Sequence, residues 1–117
     1  MINKELGKQG EAMACLLLKR QGFSILCRNY ANRIGEIDVI AKKGNTLVFC
    51  EVKTRNNTNY GQPFEAVSSH KQKTINRLAL MFLQRHPELL DYEIRFDVVS
   101  ILFNGKKHNI FHIENAF

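Results

Sequence analysis

The strongest constraint on the fold of this 117-residue chain is a short apolar run, Leu47-Val48-Phe49-Cys50, that has no polar face. Successive side chains of a β-strand point to opposite faces of its sheet, so the run predicts a strand buried on both faces. Such a strand lies at the centre of a sheet that helices cover on each side. The expected fold class is therefore α/β, with a mixed central sheet flanked by helices.

The remaining sequence supplies the elements of that sheet in the order αβββαββ. Apolar residues recur at helical spacing in residues 3–21 and 69–85. Strand patterns occupy residues 23–30, 36–41, 46–54, 93–103 and 108–113. Residues around Gly44-Asn45 and Gly105 predict two hairpins. The second helix lies between the third and fourth strands, which predicts that these two strands are parallel.

Length and composition limit the classes of protein to which the chain can belong. Its 117 residues predict a single domain, 1–117. The sequence has no apolar run of about 18 residues and no signal-peptide pattern, so we expect a cytoplasmic protein without a membrane span. Seventeen Lys and Arg residues against eleven Asp and Glu give a net charge of +6, which makes a nucleic acid the first candidate partner.

Two charged residues, Glu51 and Lys53, end the strand that contains the apolar run. Residues two apart in a strand project from the same face, so these side chains lie together. Asp38 precedes Glu51 by thirteen positions across the predicted hairpin. A turn at Gly44-Asn45 would place the two acids directly opposite each other, and a turn at Lys43-Gly44 would place them diagonally.

Carboxylates that converge in a poorly solvated cleft repel each other unless a cation neutralises them. Carboxylate, carbonyl and water oxygens are the ligands of a hard cation, so Asp38 and Glu51 predict a site for Mg²⁺ or Mn²⁺. Lys53 would stand beside a scissile phosphate and stabilise its developing charge. The alternative is an ordinary ion pair between a lysine and an acid on the sheet surface.

A third carboxylate, Glu11, falls on the first helix close to the apolar stripe that should pack on the sheet. It is expected either to join the acidic site or to lie at the border of the stripe and reach water. The residues predicted to contact nucleic acid are the basic ones nearest to the carboxylates. They are Arg28, Arg33, Arg55 and Lys71. Asp97 is expected to pair with an arginine or to cap a loop.

Five segments resemble the YraN family of uncharacterised bacterial proteins, namely Gly7-x-x-Gly10-Glu11-x-x-Ala14, Gly35-Glu36-Ile37-Asp38-x-x-Ala41, Glu51-Val52-Lys53-Thr54-Arg55, Arg95-Phe96-Asp97-Val98-Val99 and Asn115-Ala116-Phe117. That family is similar in turn to archaeal Holliday-junction resolvases and to the PD-(D/E)XK nuclease superfamily. The resemblance implies a restriction-endonuclease-like core, branched DNA as a substrate and a homodimer.

The resemblance also implies roles for individual residues. Asp38, Glu51 and Lys53 correspond to the catalytic triad of the superfamily, and Glu11 to its additional acidic residue from the first helix. The carbonyl of Val52 is implied to join the metal shell. The sequence therefore predicts a metal-dependent endonuclease acting on DNA. Two alternatives stay open, a non-catalytic nucleic-acid-binding or scaffold protein that keeps the nuclease fold, and a protein that binds only protein partners.

Overall fold

The computed structural model describes residues 4–56 and 67–117. In these ranges the chain forms two α-helices, five β-strands and one turn of 3₁₀ helix. Their bounds are α1 Lys4–Arg20, β1 Ser24–Asn32, β2 Gly35–Lys43, β3 Thr46–Arg55, α2 Ser69–Arg85, the 3₁₀ turn Pro87–Leu89, β4 Glu93–Asn104 and β5 Lys107–Ile113.

The ends of the helices follow local signals. Ser68 caps α2, since its side-chain oxygen accepts a hydrogen bond from the Lys71 amide, and α2 ends at Arg85 just before Pro87. The predicted cap of the first helix, Asn3, lies outside the described residues. Neither helix of the described ranges combines the length and the apolar character that crossing a membrane requires.

The five strands form one mixed sheet in the order β1-β2-β3-β4-β5. The β3–β4 pair is parallel and the other three pairs are antiparallel. The parallel pair is the one predicted from the position of α2 between its strands. A mixed α/β fold with a mixed sheet is thus confirmed.

The apolar run that predicted a central strand is buried on both faces of β3. Val48 and Cys50 pack on the side of α1, together with Ala14 and Leu18 of that helix. Leu47 and Phe49 pack on the side of α2. One helix therefore covers each face of the sheet.

The hairpin between β2 and β3 selects one of the two predicted registers. Lys43 pairs with Thr46, which leaves Gly44-Asn45 as the turn, and Gly44 has a positive φ of 56°. This register would place Asp38 opposite Glu51, the closer of the two predicted arrangements, but the ladder ends one pair earlier, at Val39 with Cys50.

Strand β1 departs in one place from the regular alternation that its strand pattern predicts. Ile25 packs on the α1 side of the sheet and Cys27 on the α2 side, although a regular strand would place both on one face. A bulge between these two residues shifts the pairing with β2 by one residue. The extra residue turns the following part of β1 over.

A buried acid, Asp97, ties the end of the described chain to the sheet. The guanidinium of Arg95 donates to both carboxylate oxygens of Asp97 at 2.9 Å, and Asn115 donates its backbone N–H at 3.1 Å. His112 Nε2 lies 2.7 Å from Oδ2. Burial alone would raise the pKa of Asp97, but hydrogen bonds from His112, Arg95 and Asn115 outweigh it and hold the pKa below its usual value. The expected pairing with an arginine is confirmed.

Helix α1 lies very close to the sheet at Gly10. A Cβ atom built on Gly10 would overlap Oγ1 of Thr54 and lie 3.4 Å from a methyl group of Ile101. Glycine is therefore required here by space, despite its low helix propensity.

We predict that Gly10→Ala lowers the free energy of unfolding by about 1–3 kcal/mol, because the added methyl group overpacks the contact with Thr54. Helix propensity alone would raise stability, so the sign of the change is informative. Urea unfolding measures the effect. The control is Gly10→Ala combined with Thr54→Ala, which removes Oγ1 and should recover part of the loss. A more stable Gly10→Ala protein would contradict the close contact.

Candidate metal centre

The centre of the candidate site is a fork in the sheet. Among the described residues, the last pair of the β2–β3 ladder is Val39 with Cys50. Beyond this pair β2 stays with β1, and β3 stays with β4 as far as Arg55. The two strands therefore separate. Backbone N–H and C=O groups that would pair in a continuous ladder can bond to side chains instead.

Asp38 stands at the base of the fork. Its Oδ2 accepts a hydrogen bond of 2.7 Å from the backbone N–H of Val52, so the carboxylate takes the place of a strand partner. Ile37 packs on the α2 side and Val39 on the α1 side, which means that β2 turns at Asp38. Asn29 of β1, which lies opposite Asp38, has a positive φ of 54°. A matched kink of both strands thus aims Asp38 at β3.

Three carboxylates meet at the fork. One oxygen from each of Glu11, Glu36 and Asp38 lies within 4.8 Å of the other two. The amide nitrogen of Asn29, in the orientation that satisfies both acids, lies 3.1 Å from Glu11 Oε1 and 2.8 Å from Glu36 Oε1. We call Glu11, Glu36 and Asp38 the acidic trio.

The close approach of α1 to the sheet positions Glu11. Gly10 lies against Thr54 of β3, and Glu11 follows it on the same helical turn. The sequence left two positions open for Glu11, in the acidic site or at the border of the apolar stripe. Its place in the acidic trio favours the acidic site.

Glu51 does not belong to the trio and instead contacts helix α2. Its side chain is almost buried, and its Oε2 lies 3.2 Å from Nζ of Lys71 in the first turn of α2. Glu51 also lies close enough to the Asp38 carboxyl to raise its pKa. Asp38 therefore connects the trio to an ion pair between β3 and α2.

This environment changes the protonation of Asp38. Burial, a hydrogen bond to Glu51 and repulsion by the charges of Glu51 and Glu11 raise the pKa of Asp38 to about 9, against the opposing effect of the Val52 N–H. Asp38 consequently keeps a proton at neutral pH while no cation shares the site. A divalent cation would reverse this preference, because it stabilises the ionised carboxylate.

The acidic trio fits a hard divalent cation. All of its donors are carboxylate oxygens, the ligands that Mg²⁺ and Mn²⁺ prefer over nitrogen and sulfur. Adjacent oxygens around an octahedral Mg²⁺ lie about 3.0 Å apart and opposite ones about 4.2 Å, since each bond is about 2.1 Å. The three oxygens, which lie within 4.8 Å of one another, would have to move closer together to share one ion.

The other residues expected around the metal lie on β3. Lys53 follows Glu51 by two residues and leaves the same face of the strand, where it is half-buried. The N–H and C=O of one strand residue point to the same side, so the carbonyl of Val52 is directed towards the fork, as its N–H is. Lys53 and Val52 thus border the candidate site, as the family resemblance implies.

The four predicted nucleic-acid contacts are distributed unevenly. Lys71 reaches Glu51 directly. Arg55 ends β3 beyond the fork and is half-buried. Arg28 is exposed on β1, where it and Glu11 both act on the thiol of Cys15, so it lies on the α1 side. Arg33 is exposed in the turn between β1 and β2. The structure thus brings Lys71 into contact with Glu51. The three arginines lie on β1, in the turn between β1 and β2, and at the end of β3.

Glu36 and Asn29 are the site residues that sequence reasoning missed. Glu36 follows Gly35 at the start of β2, a place where a charged residue is common, and Asn29 belongs to a strand pattern. One available signal was the acidic pair Glu36 and Asp38, since residues two apart lie on one face in a regular strand.

The sequence was also compared with known proteins. A family model described as "Uncharacterised protein family UPF0102" matches residues 10–101, a range that includes every carboxylate of the candidate site. The chain belongs to this family. The membership predicted from the YraN-like motifs is thereby confirmed.

Relatives that carry the name UPF0102 protein match almost the full chain. The chain is 49% identical to one from Geobacter metallireducens over 115 residues, which cover 98% of this chain and 93% of that protein. It is 44% identical to one from Syntrophomonas wolfei over 116 residues, 99% of this chain and 100% of that protein. It is also 44% identical to one from Dictyoglomus turgidum over 119 residues, the full length of both.

We predict that Asp38→Asn raises the melting temperature of the metal-free protein at about pH 8 by about 4 °C or more. The pKa of Asp38 rises on folding from 3.8 to about 9. Between these values only the folded state holds the proton, so the stability of the wild type falls as the pH rises. Asparagine keeps an oxygen for the Val52 N–H and does not titrate.

Thermal unfolding followed by circular dichroism, with a chelator present, measures this effect. The stabilisation should be small near pH 4 and should grow towards pH 9. Glu88→Gln, at an exposed acid in the 3₁₀ turn, is the matched control and should show no such growth. A stabilisation by Asp38→Asn that is the same at all pH values would contradict the raised pKa.

Proposed function

We propose that this protein is a metal-dependent nuclease that hydrolyses phosphodiester bonds in DNA. The observation that supports this most directly is the acidic trio at the fork, three carboxylates whose oxygens lie within 4.8 Å of one another. The net charge of +6 fits a polyanionic substrate. The cationic side chains beside the acids give that substrate a place to bind.

Each acid has a distinct task in this proposal. Asp38, Glu36 and Glu11 would hold the cation, and Glu51 and the Val52 carbonyl would complete its shell. When bound, Mg²⁺ or Mn²⁺ supplies an activated water and neutralises charge on the phosphate. Asp38 gives up its proton as the cation binds, and Asn29 keeps Glu11 and Glu36 in position through its amide.

The cationic residues act on the substrate. Lys53, on the same face as Glu51, stabilises the negative charge that develops on the phosphate in the transition state. Lys71, Arg55 and Arg28 bind phosphates on either side of the scissile bond, and Arg33 extends this surface along the turn between β1 and β2.

The finer assignments rest on the family resemblance. We propose that the sheet is a restriction-endonuclease-like core and that the protein acts in the cytoplasm. Kinship with the resolvases would make branched DNA the preferred substrate and a homodimer the active form. Support for such a core comes from the parallel β3–β4 pair and from the helix on each face of the described sheet.

One observation favours a second function, binding of nucleic acid without catalysis. Lys71 neutralises Glu51 at 3.2 Å, and Asp38 carries a proton at neutral pH, so these two acids have partners without a metal. A protein in this state would bind DNA through its basic surface alone. Strong salt dependence of DNA binding, with no cleavage in Mg²⁺ or Mn²⁺, would favour this function.

We predict that the wild type cleaves DNA in the presence of Mg²⁺ or Mn²⁺ and that Glu36→Gln, Asp38→Asn and Lys53→Ala each lower the rate by at least about 100-fold. A loss of this size corresponds to about 2.7 kcal/mol of transition-state stabilisation. The measurement is a cleavage panel with branched, flapped and single-stranded DNA. Glu88→Gln, remote from the fork, is the control and should keep the wild-type rate. Full metal-dependent cleavage by Glu36→Gln and Asp38→Asn would refute the site.

Metal binding should also release a proton. Asp38 holds its proton at neutral pH and must lose it to bind Mn²⁺, so affinity should increase as the pH rises from about 7 to about 9. Calorimetric titration in buffers of different ionisation enthalpy counts the protons released. We expect about one for the wild type near pH 7 and none for Asp38→Asn. Equal release by both proteins would exclude Asp38 as the source.

A further inference from the structure

Lys71 holds the one acid of the predicted triad that the acidic trio leaves out. Its Nζ lies 3.2 Å from Oε2 of Glu51. The Glu51 side chain is 9% exposed, whereas that of Lys71 is 43% exposed. The ion pair therefore joins a fixed, nearly buried carboxylate to a cation that has open solvent beside it.

The backbone around Lys71 is fixed, so only its side chain is free to change partner. The Lys71 amide donates to the Ser68 side chain, and Nε2 of Gln72 donates to the Val67 carbonyl at 2.9 Å. The long lysine side chain can rotate away from Glu51 while α2 stays in place.

The first turn of a helix is an unfavourable place for a cation, because the helix dipole is positive at that end. The first turn of α2 contains no acidic residue that would compensate Lys71. Lys71 therefore depends on an anion outside its helix. In the free protein that anion is Glu51, and a phosphate group would serve equally.

Glu51 also adjoins Asp38, the shared member of the acidic trio. A divalent cation held by Asp38 would draw on Glu51 as a further ligand, and it would repel the ammonium of Lys71. Lys71 and the divalent cation thus compete for the same carboxylate.

We propose that Lys71 is an exchangeable latch that couples DNA binding to metal binding. In the free protein it neutralises Glu51, and when DNA binds it moves to a phosphate and releases Glu51 to the divalent cation. This inference rests on the proposed nuclease function and adds its regulation. Metal and DNA then bind cooperatively, and the metal centre is completed only in the presence of substrate.

The test measures Mn²⁺ affinity by calorimetry at low salt, with and without a phosphorothioate DNA duplex that resists cleavage. Without DNA, Lys71→Met should bind Mn²⁺ about 10-fold more tightly than the wild type, because its competitor for Glu51 is removed. DNA should raise the Mn²⁺ affinity of the wild type at least about 10-fold and that of Lys71→Met by less than about 3-fold. Lys71→Arg, which keeps the charge, should restore the coupling.

Lys73→Met is the matched control, since Lys73 is an exposed lysine of the same helix, and it should behave as the wild type. Thermal unfolding of each variant verifies that it is folded. If Lys71→Met does not fold, Lys71→Gln, which also lacks the charge, takes its place. Equal Mn²⁺ affinity and equal coupling in the wild type and Lys71→Met would overturn the latch and leave the nuclease proposal intact. Failure of the wild type to bind Mn²⁺ under either condition would overturn both.

Discussion

The hydrogen bond from the Val52 N–H to the Asp38 carboxylate is the interaction on which the candidate site depends. It lets β2 leave β3 while a partly buried backbone donor keeps a partner, which a simple divergence of two strands would not provide. The same bond holds an acid in a poorly solvated gap, where burial and two neighbouring acids oppose its ionisation. Asp38 thus provides a partner for a backbone N–H of β3 in a place where its own ionisation is unfavourable.

Most of the fold could be predicted because its signals are local. An apolar run without a polar face indicates a covered strand, and a Gly-Asn pair between two strand patterns indicates a tight turn. The bulge after Ile25 and the kink at Asn29 could not be predicted in this way. They depend on which face of the sheet each side chain must reach, and that is decided by the packing of helices distant in sequence.

The candidate site also has residues that local sequence signals identify and residues that they do not. Asp38, Glu51 and Glu11 were identifiable because a charge inside an apolar pattern is locally anomalous. Glu36 was not, because its part in the trio requires the kinked strands and the Asn29 amide. The sequence also indicated that Lys71 could reach the cleft. It did not indicate that Lys71 pairs with Glu51, because that contact joins a strand to a helix across thirteen intervening residues that are not all described.

The double role of Asp38 has a consequence for how related sequences can diverge. If the proposed chemistry is correct, a relative that lost it would no longer need Glu36 or Glu51, and these positions could change to neutral or apolar residues. Position 38 would still need an oxygen for the backbone of β3, so aspartate or asparagine should persist there. An aspartate at position 38 is therefore weak evidence that a relative is an active enzyme. Acidic residues at positions 36 and 51 are stronger evidence.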